Sequence, residues 1–227
     1  MQKYLTEFIG TFFLVLTVGC TGIAAGPGVI APLAIGSALM VMVYAGGHVS
    51  GGHYNPAVTL GVFLRGRCPA ADVLPYMIAQ VLGALAAALV AMFLKSPESA
   101  ATFRAGIAPG FVAEALFTFA LVLVVLNVAV SARTTGNSYY GLAIGFTVMV
   151  GAFAGGAISG GAFNPAVGLG PMLVHGLLSG GSFSAAWLYL VGPLVGGALA
   201  AVVFALQEGD AVVVVEAGAA AGAPAGD

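Results

Sequence analysis

Asparagine is followed by proline at two places in the chain, Asn55-Pro56 and Asn164-Pro165, and both pairs continue into alanine and valine. Asn is among the best helix N-caps and Pro is preferred at the first helical position, so each box starts a helix. The match is longer than the box. Ser50-Gly51-Gly52-His53-Tyr54-Asn55-Pro56-Ala57-Val58 answers Ser159-Gly160-Gly161-Ala162-Phe163-Asn164-Pro165-Ala166-Val167, and a further residue and then Leu-Gly follow in both. Two carboxylates share the duplication, Glu7 in Glu-Phe-Ile-Gly-Thr-Phe and Glu114 in Glu-Ala-Leu-Phe-Thr-Phe. Both lie in apolar stretches, where an ionisable group is expensive and faces protein or a cavity. His48 and His53 flank the first glycines, with His175 elsewhere and no acidic or thiol neighbours, and read as hydrogen-bonded loop residues rather than metal ligands. Cys20 and Cys68 have no metal-ligand spacing. No nucleophile, base and oxyanion donor converge, which speaks against an enzyme, and no cofactor or metal is implied.

The elements that must position these residues follow from composition. Of 227 residues, 60% are hydrophobic and 6% charged, against ~25% charged in soluble domains. With a mean hydropathy of +1.09 and 35 glycines, the chain reads as a set of closely packed helices in a lipid bilayer. The net charge is -2 and the six basic residues are scattered, which excludes nucleic acid as a partner. Apolar runs long enough for a ~30 Å hydrocarbon core occupy about Tyr4 to Ala24, Ile30 to Gly47, Val73 to Leu94, Phe111 to Val130, Tyr139 to Ala157 and Ala185 to Leu206. These are six spans, and the first is a retained span rather than a cleaved leader because Glu7 interrupts it. Two shorter segments, Asn55 to Leu64 and Asn164 to Leu173, would reach only ~15 Å as helices and cannot cross alone. An N-terminus in the cytoplasm puts Lys3, Arg65, Arg67 and Arg133 inside and Lys95 and Arg104 outside. The tail, residues 207–227, is acidic and then Ala/Gly-rich, a composition expected to be disordered.

The duplication also pairs Tyr76 to Ala87 with Tyr189 to Ala200, so one channel-sized domain, 1–206, consists of two repeats, about 1–100 and 108–206. Three spans and one half-span in each repeat make an odd number of crossings, so the second repeat inserts upside down. The half-helices then enter from opposite faces and their N-termini meet at mid-membrane, where each carries roughly +0.5 of an elementary charge. The Ser-Gly-Gly stretches are irregular backbone, tolerated at that depth only beside a protein wall or a watery cavity. Carbonyls of Gly51, Gly52 and His53, and of Gly160, Gly161 and Ala162, are expected to line a pore that ends at two Asn donors. Such a ladder lets water or a hydroxylated solute exchange hydrogen bonds while the helix ends oppose cations. Gly151 with Gly155, and Gly192 with Gly196, have the spacing of close helix contacts.

The paired Asn-Pro-Ala boxes, the Glu-x-x-x-Thr openings, the run from His48 to Thr59 and Gly170-Pro171 together resemble the aquaporins of the major intrinsic protein family over residues 4 to 206. The resemblance implies an all-α membrane fold of six transmembrane helices and two re-entrant half-helices, with a pore in each subunit of a homotetramer. It also implies that Glu7 and Glu114 brace the re-entrant loops, a structural role that passive permeation favours over proton coupling. Gln80, which aligns with Pro193, is expected at a buried hydrogen-bonding or packing position. Members commonly carry Arg directly after the second box, and here that position is Val167. The other filter positions fall on Ile35, Ala152 and Gly161. A filter of these four residues is apolar, uncharged and wide, admitting glycerol-like polyols or undissociated metalloid acids such as arsenite besides water. A water-selective pore, a secondary transporter and a scaffold with a vestigial pore are the alternatives.

Overall fold

The computed structural model describes residues 1–21, 30–95 and 106–208. Eight α-helices follow in order: α1 (Gln2–Thr21), α2 (Ile30–Ser50), α3 (Pro56–Leu64), α4 (Ala70–Leu94), α5 (Ile107–Val125), α6 (Tyr140–Ser159), α7 (Pro165–Ser179) and α8 (Ala186–Glu208). All but α3 and α7 are long and apolar enough to cross a membrane, α5 being extended by one π-turn, Leu126–Val130. The expected spans and half-spans are therefore present, with two differences. α7 has 15 residues and runs past the expected end at Leu173. Its apolar spacing continues through Leu177 and Leu178, and the stop is Gly180, whose left-handed φ of 73° caps the helix. α3 ends after nine residues because Gly66, at φ 68°, and Pro69 interrupt it. The tail expected from 207 on begins with Gln207 and Glu208 still helical, and its remainder lies outside the described residues.

The repeats are visible in the packing. α1 lies chiefly on α4 and α5 on α8, while α3 packs mainly against α8 and α7 against α4, so each half-helix is held by the last span of the other repeat. Both main pairs depend on a glycine. A Cβ on Gly83 would run into the carbonyl oxygen of Phe8, and one on Gly196 into that of Ala115, the equivalent residue. α2 crosses α6 where Gly36 meets Gly145: a Cβ on either would lie 2.5–2.6 Å from the other's carbonyl oxygen. Each span has a buried side and a side that faces outward. On α1, Glu7, Gly10, Thr11, Leu14 and Val18 are buried while Leu5, Ile9 and Phe13 are exposed. Lipid makes the outward face free of cost, because its tails are as apolar as leucine. At the face carrying the N-terminus, Lys3 Nζ lies 2.6 Å from Asp72, which also accepts from the Tyr4 hydroxyl at 2.7 Å. Glu208, at the end of α8, accepts from the Ser131 hydroxyl.

Candidate functional site

Between α2 and α3 the chain turns through left-handed conformations at Gly51 (φ 89°), Gly52 (65°) and Tyr54 (48°), and between α6 and α7 at Gly160 (91°), Gly161 (70°) and Phe163 (48°). The left-handed region costs about 1–3 kcal/mol for a bulky residue unless its surroundings impose it. The imposing groups are the buried glutamates. Glu7 Oε1 accepts the Ser50 hydroxyl at 2.6 Å and the His53 N–H at 3.0 Å, and its Oε2 accepts the Tyr54 N–H at 2.7 Å and Gln80 Nε2 at 2.8 Å. Glu114 Oε1 accepts the Ser159 hydroxyl at 2.7 Å and the Ala162 N–H at 3.0 Å, and its Oε2 accepts the Phe163 N–H at 2.6 Å. The Tyr76 and Tyr189 hydroxyls donate to the Ser50 and Ser159 carbonyls at 2.8 and 2.6 Å.

The loops deliver the two Asn-Pro boxes to one place. Asn55 Oδ1 accepts the Ala57 N–H at 2.8 Å and caps α3, while Asn164 Oδ1 accepts the Ala166 N–H at 2.9 Å and caps α7. Each amide also reaches across: Asn55 Nδ2 donates to the Phe163 carbonyl at 2.9 Å and Asn164 Nδ2 to the Tyr54 carbonyl at 2.8 Å. Pro56 and Pro165 are the first residues of α3 and α7, and the two helix N-termini meet. One N–H of each amide is left for a guest.

A central cavity runs past this junction, lined by sixteen residues that form eight repeat-related pairs: Leu14/Leu121, Val18/Val125, Ile35/Ile144, Leu39/Val148, Gly52/Gly161, His53/Ala162, Asn55/Asn164 and Val58/Val167. It leaves about 30 Å³ for the centres of water molecules, enough for a short file given the ~10–15 Å³ that one water needs. Past His53 and Val125 it meets a cavity of about 320 Å³ by the same measure, and past Gly51, Ala129 and Val130 another of about 390 Å³. Three of the four expected filter positions, Ile35, Gly161 and Val167, line the central cavity. Ala152 does not line this cavity; α6 contributes Ile144 and Val148, the repeat partners of Ile35 and Leu39. The walls are aliphatic, but the centre is narrower than four small residues imply, because Leu14, Val18, Leu121 and Val125 also face it. Of the expected carbonyl positions, Gly52, His53, Gly161 and Ala162 line the centre, Gly51 lines the two wider cavities, and Gly160 lines none of the three. Ala57 and Ala166 are fully buried against the helices.

Gln80 is fully buried and donates to Glu7 and to the Thr59 hydroxyl. His48 sits in the outermost of the three cavities, and His175, on α7, lines none of them. Cys20 and Cys68 are free thiols, and burial pushes the Cys68 thiol up from its ordinary range. Sequence reasoning missed the aliphatic wall of α1, α5 and α6. The repeat held the signal, since Leu14 and Val18 stand as far from Glu7 as Leu121 and Val125 do from Glu114.

Comparisons with known proteins identify the family. The major intrinsic protein (MIP) family matches residues 1–204. The chain is 40% identical over 211 residues to glycerol uptake facilitator protein-like 6 of Lactiplantibacillus plantarum, covering 88% of this chain and 95% of the relative. It is 38% identical to aquaporin NIP1-4 of Oryza sativa subsp. japonica (91% and 77% covered) and 35% identical to nodulin-26 of Glycine max (90% and 77%). Its fold is similar to the X-ray structure of the aquaglyceroporin from Plasmodium falciparum, with a TM-score of 0.77 and 23% identity over 89% of this chain and 94% of that one.

Proposed function

The chain belongs to the major intrinsic protein family and is a membrane channel rather than an enzyme, and from that premise we propose that it passes water together with small neutral hydroxylated solutes. Glycerol-like polyols and undissociated metalloid acids such as arsenite are the classes that fit. The observation that carries this reading is Val167, buried in the channel wall directly after the second Asn-Pro-Ala box. With valine there, the constriction formed with Ile35 and Gly161 has no fixed charge and no side-chain donor, and by the inverted symmetry Ile144, Gly52 and Val58 form its counterpart beyond the asparagines. A solute slides its carbon face along the aliphatic wall and exchanges hydrogen bonds with the loop carbonyls and the free N–H groups of Asn55 and Asn164. The opposed N-termini of α3 and α7 supply the positive potential that opposes cations.

The relative from Lactiplantibacillus, named for glycerol uptake, supports the solute class. Lys3, Arg65, Arg67 and Arg133 against Lys95 and Arg104 support cytoplasmic termini in a plasma membrane, and the family resemblance supports a homotetramer with one pore per subunit. Stopped-flow light scattering on proteoliposomes tests the reading: wild-type vesicles take up glycerol and arsenous acid well above protein-free vesicles, and Val167→Arg loses that flux about tenfold or more while keeping most of its water flux. Equal retention of both fluxes by the variant overturns the role of Val167. A water-selective pore is the second reading, favoured by the narrow centre; fast water flux with solutes at background would establish it.

A further inference from the structure

The residue before each asparagine is backed differently in the two repeats. In the second, Phe163 packs on Phe117 of α5 with ring centroids 5.1 Å apart. The Phe117 ring also lies over Gly151 and Gly155 of α6, where a Cβ would come within 3.4 and 2.9 Å of its carbons. In the first repeat Phe117, Gly151, Gly155 and Phe163 are answered by Gly10, Met42, Gly46 and Tyr54. The backing phenyl ring is absent there. Tyr54 leans into part of its place, since a Cβ on Gly10 would lie 2.1 Å from the Tyr54 ring, and the remainder is an open groove.

The groove runs between α1 and α2, with Thr6, Ile9 and Gly10 on one side, Met42, Ala45 and Gly46 on the other and Tyr54 at its floor, and it leaves about 200 Å³ for the centres of water molecules. An apolar cavity of ~150 Å³ takes benzene. Ile9 and Ala45 are exposed, so the groove opens to the outside of the bundle. Thr6 stands about one turn from the start of α1, near the membrane surface, the depth at which amphipathic rings collect. The two hydroxyls of the groove are committed as donors to carbonyls, Thr6 to Gln2 at 3.0 Å and Tyr54 to Met42 at 2.9 Å. What they have left for a guest is lone pairs, which accept.

We propose that the groove between α1 and α2 is a binding site for a small aromatic alcohol dissolved in the bilayer, its ring packing on Tyr54 as Phe117 packs on Phe163 and its hydroxyl donating to Thr6 or Tyr54. The second repeat supplies the template for the ring, and the spent donors of the first supply the reason for the hydroxyl. A flexible acyl chain offers neither. The bound ring lies against a residue whose N–H is held by Glu7 and whose carbonyl receives Asn164 Nδ2, so the site touches the asparagine junction from outside the channel.

The site does not depend on which solutes permeate, and its test needs no flux. The full chain in proteoliposomes is irradiated with a benzyl alcohol that carries a diazirine on its ring, and the labelled residues are mapped by mass spectrometry. The second repeat is the control within the same molecule, because Leu116 and Phe153 are as exposed there as Ile9 and Ala45 are in the first. Label on residues 6–10 and 42–46 exceeds label on 113–117 and 151–155 about two- to tenfold, the scale of one aromatic contact. Excess benzyl alcohol removes the difference, and hexanol at the same concentration leaves it. Ala45→Trp, which lays a ring over the opening from the exposed side of α2, also removes it. Equal labelling of the two repeats overturns the proposal, whether it arises from even partitioning over the lipid face or from a second copy that seals the groove. A difference that hexanol abolishes as well as benzyl alcohol overturns it too, and that competition is read on the wild-type chain.

Discussion

The two re-entrant loops have nearly the same shape and different backing. Their left-handed residues agree closely, φ 89° against 91°, 65° against 70° and 48° against 48°. Each is held by a serine hydroxyl and two backbone N–H groups on one buried glutamate, and by a tyrosine hydroxyl on the serine carbonyl. Behind the first loop stand Gln80 and Thr59. Behind the second are Pro193 and Gly168, and the ring carbons and Cβ of Tyr189 occupy the space beside Gly168. The contacts that both halves keep are those that fix the backbone, and the contacts that only one keeps fix a side chain in the channel. Shape and chemistry are thus encoded by separate residues.

Removing the glutamates should separate the halves most. Glu7→Ala orphans four donors and Glu114→Ala three, each costing about 1–3 kcal/mol when left buried and unpaired. Both variants should lose several kcal/mol, with the unfolding midpoint in detergent lower for Glu7→Ala. The reverse order would show that Gln80 contributes nothing to the first loop. A smaller and equal loss is expected at the helix crossings, where Gly83→Ala and Gly196→Ala each push a methyl into a backbone carbonyl. Overpacking of this kind costs about 1–3 kcal/mol, and a difference of more than about 1 kcal/mol between the two would mean that the repeats do not share one packing geometry. Smallest are the caps. Asn55→Ala and Asn164→Ala should each cost about 1 kcal/mol and, because their bonds differ by no more than 0.1 Å, should be matched in thermal shift and in loss of flux. An unequal pair of fluxes would mean that the two amides do not present equivalent donors.

Where the sequence contains contrast, the structure could be anticipated from it. Asn-Pro in an apolar background marks the starts of α3 and α7, and Glu7 and Glu114 stand out because a carboxylate in a span needs partners. Leu14, Leu39, Leu121 and Val148 do not stand out, since an aliphatic residue facing the channel resembles one facing lipid or another helix. Ile144 and Val148 were equally inconspicuous, although they are the repeat partners of Ile35 and Leu39 and line the same cavity. The length of α7 was hidden because Leu177 and Leu178 continue a helical pattern past the point where the first repeat meets Gly66. The link from Glu7 through Gln80 and Thr59 to His53 joins three parts of the chain distant in sequence, and only the fold brings them together.

The meeting of Gly36 and Gly145 has a consequence in the language of assembly. A residue lying on a two-fold axis touches its own copy, so in a dimer of identical half-chains any change there is made twice at one point. The α2–α6 crossing has that geometry within a single chain, each glycine resting on the other's carbonyl. Within one chain the other positions of the two repeats need not match, and Ala162 stands where the first repeat has His53. At the crossing itself the space admits hydrogen and no methyl from either side, so the single chain has there the self-complementarity of a symmetric pair.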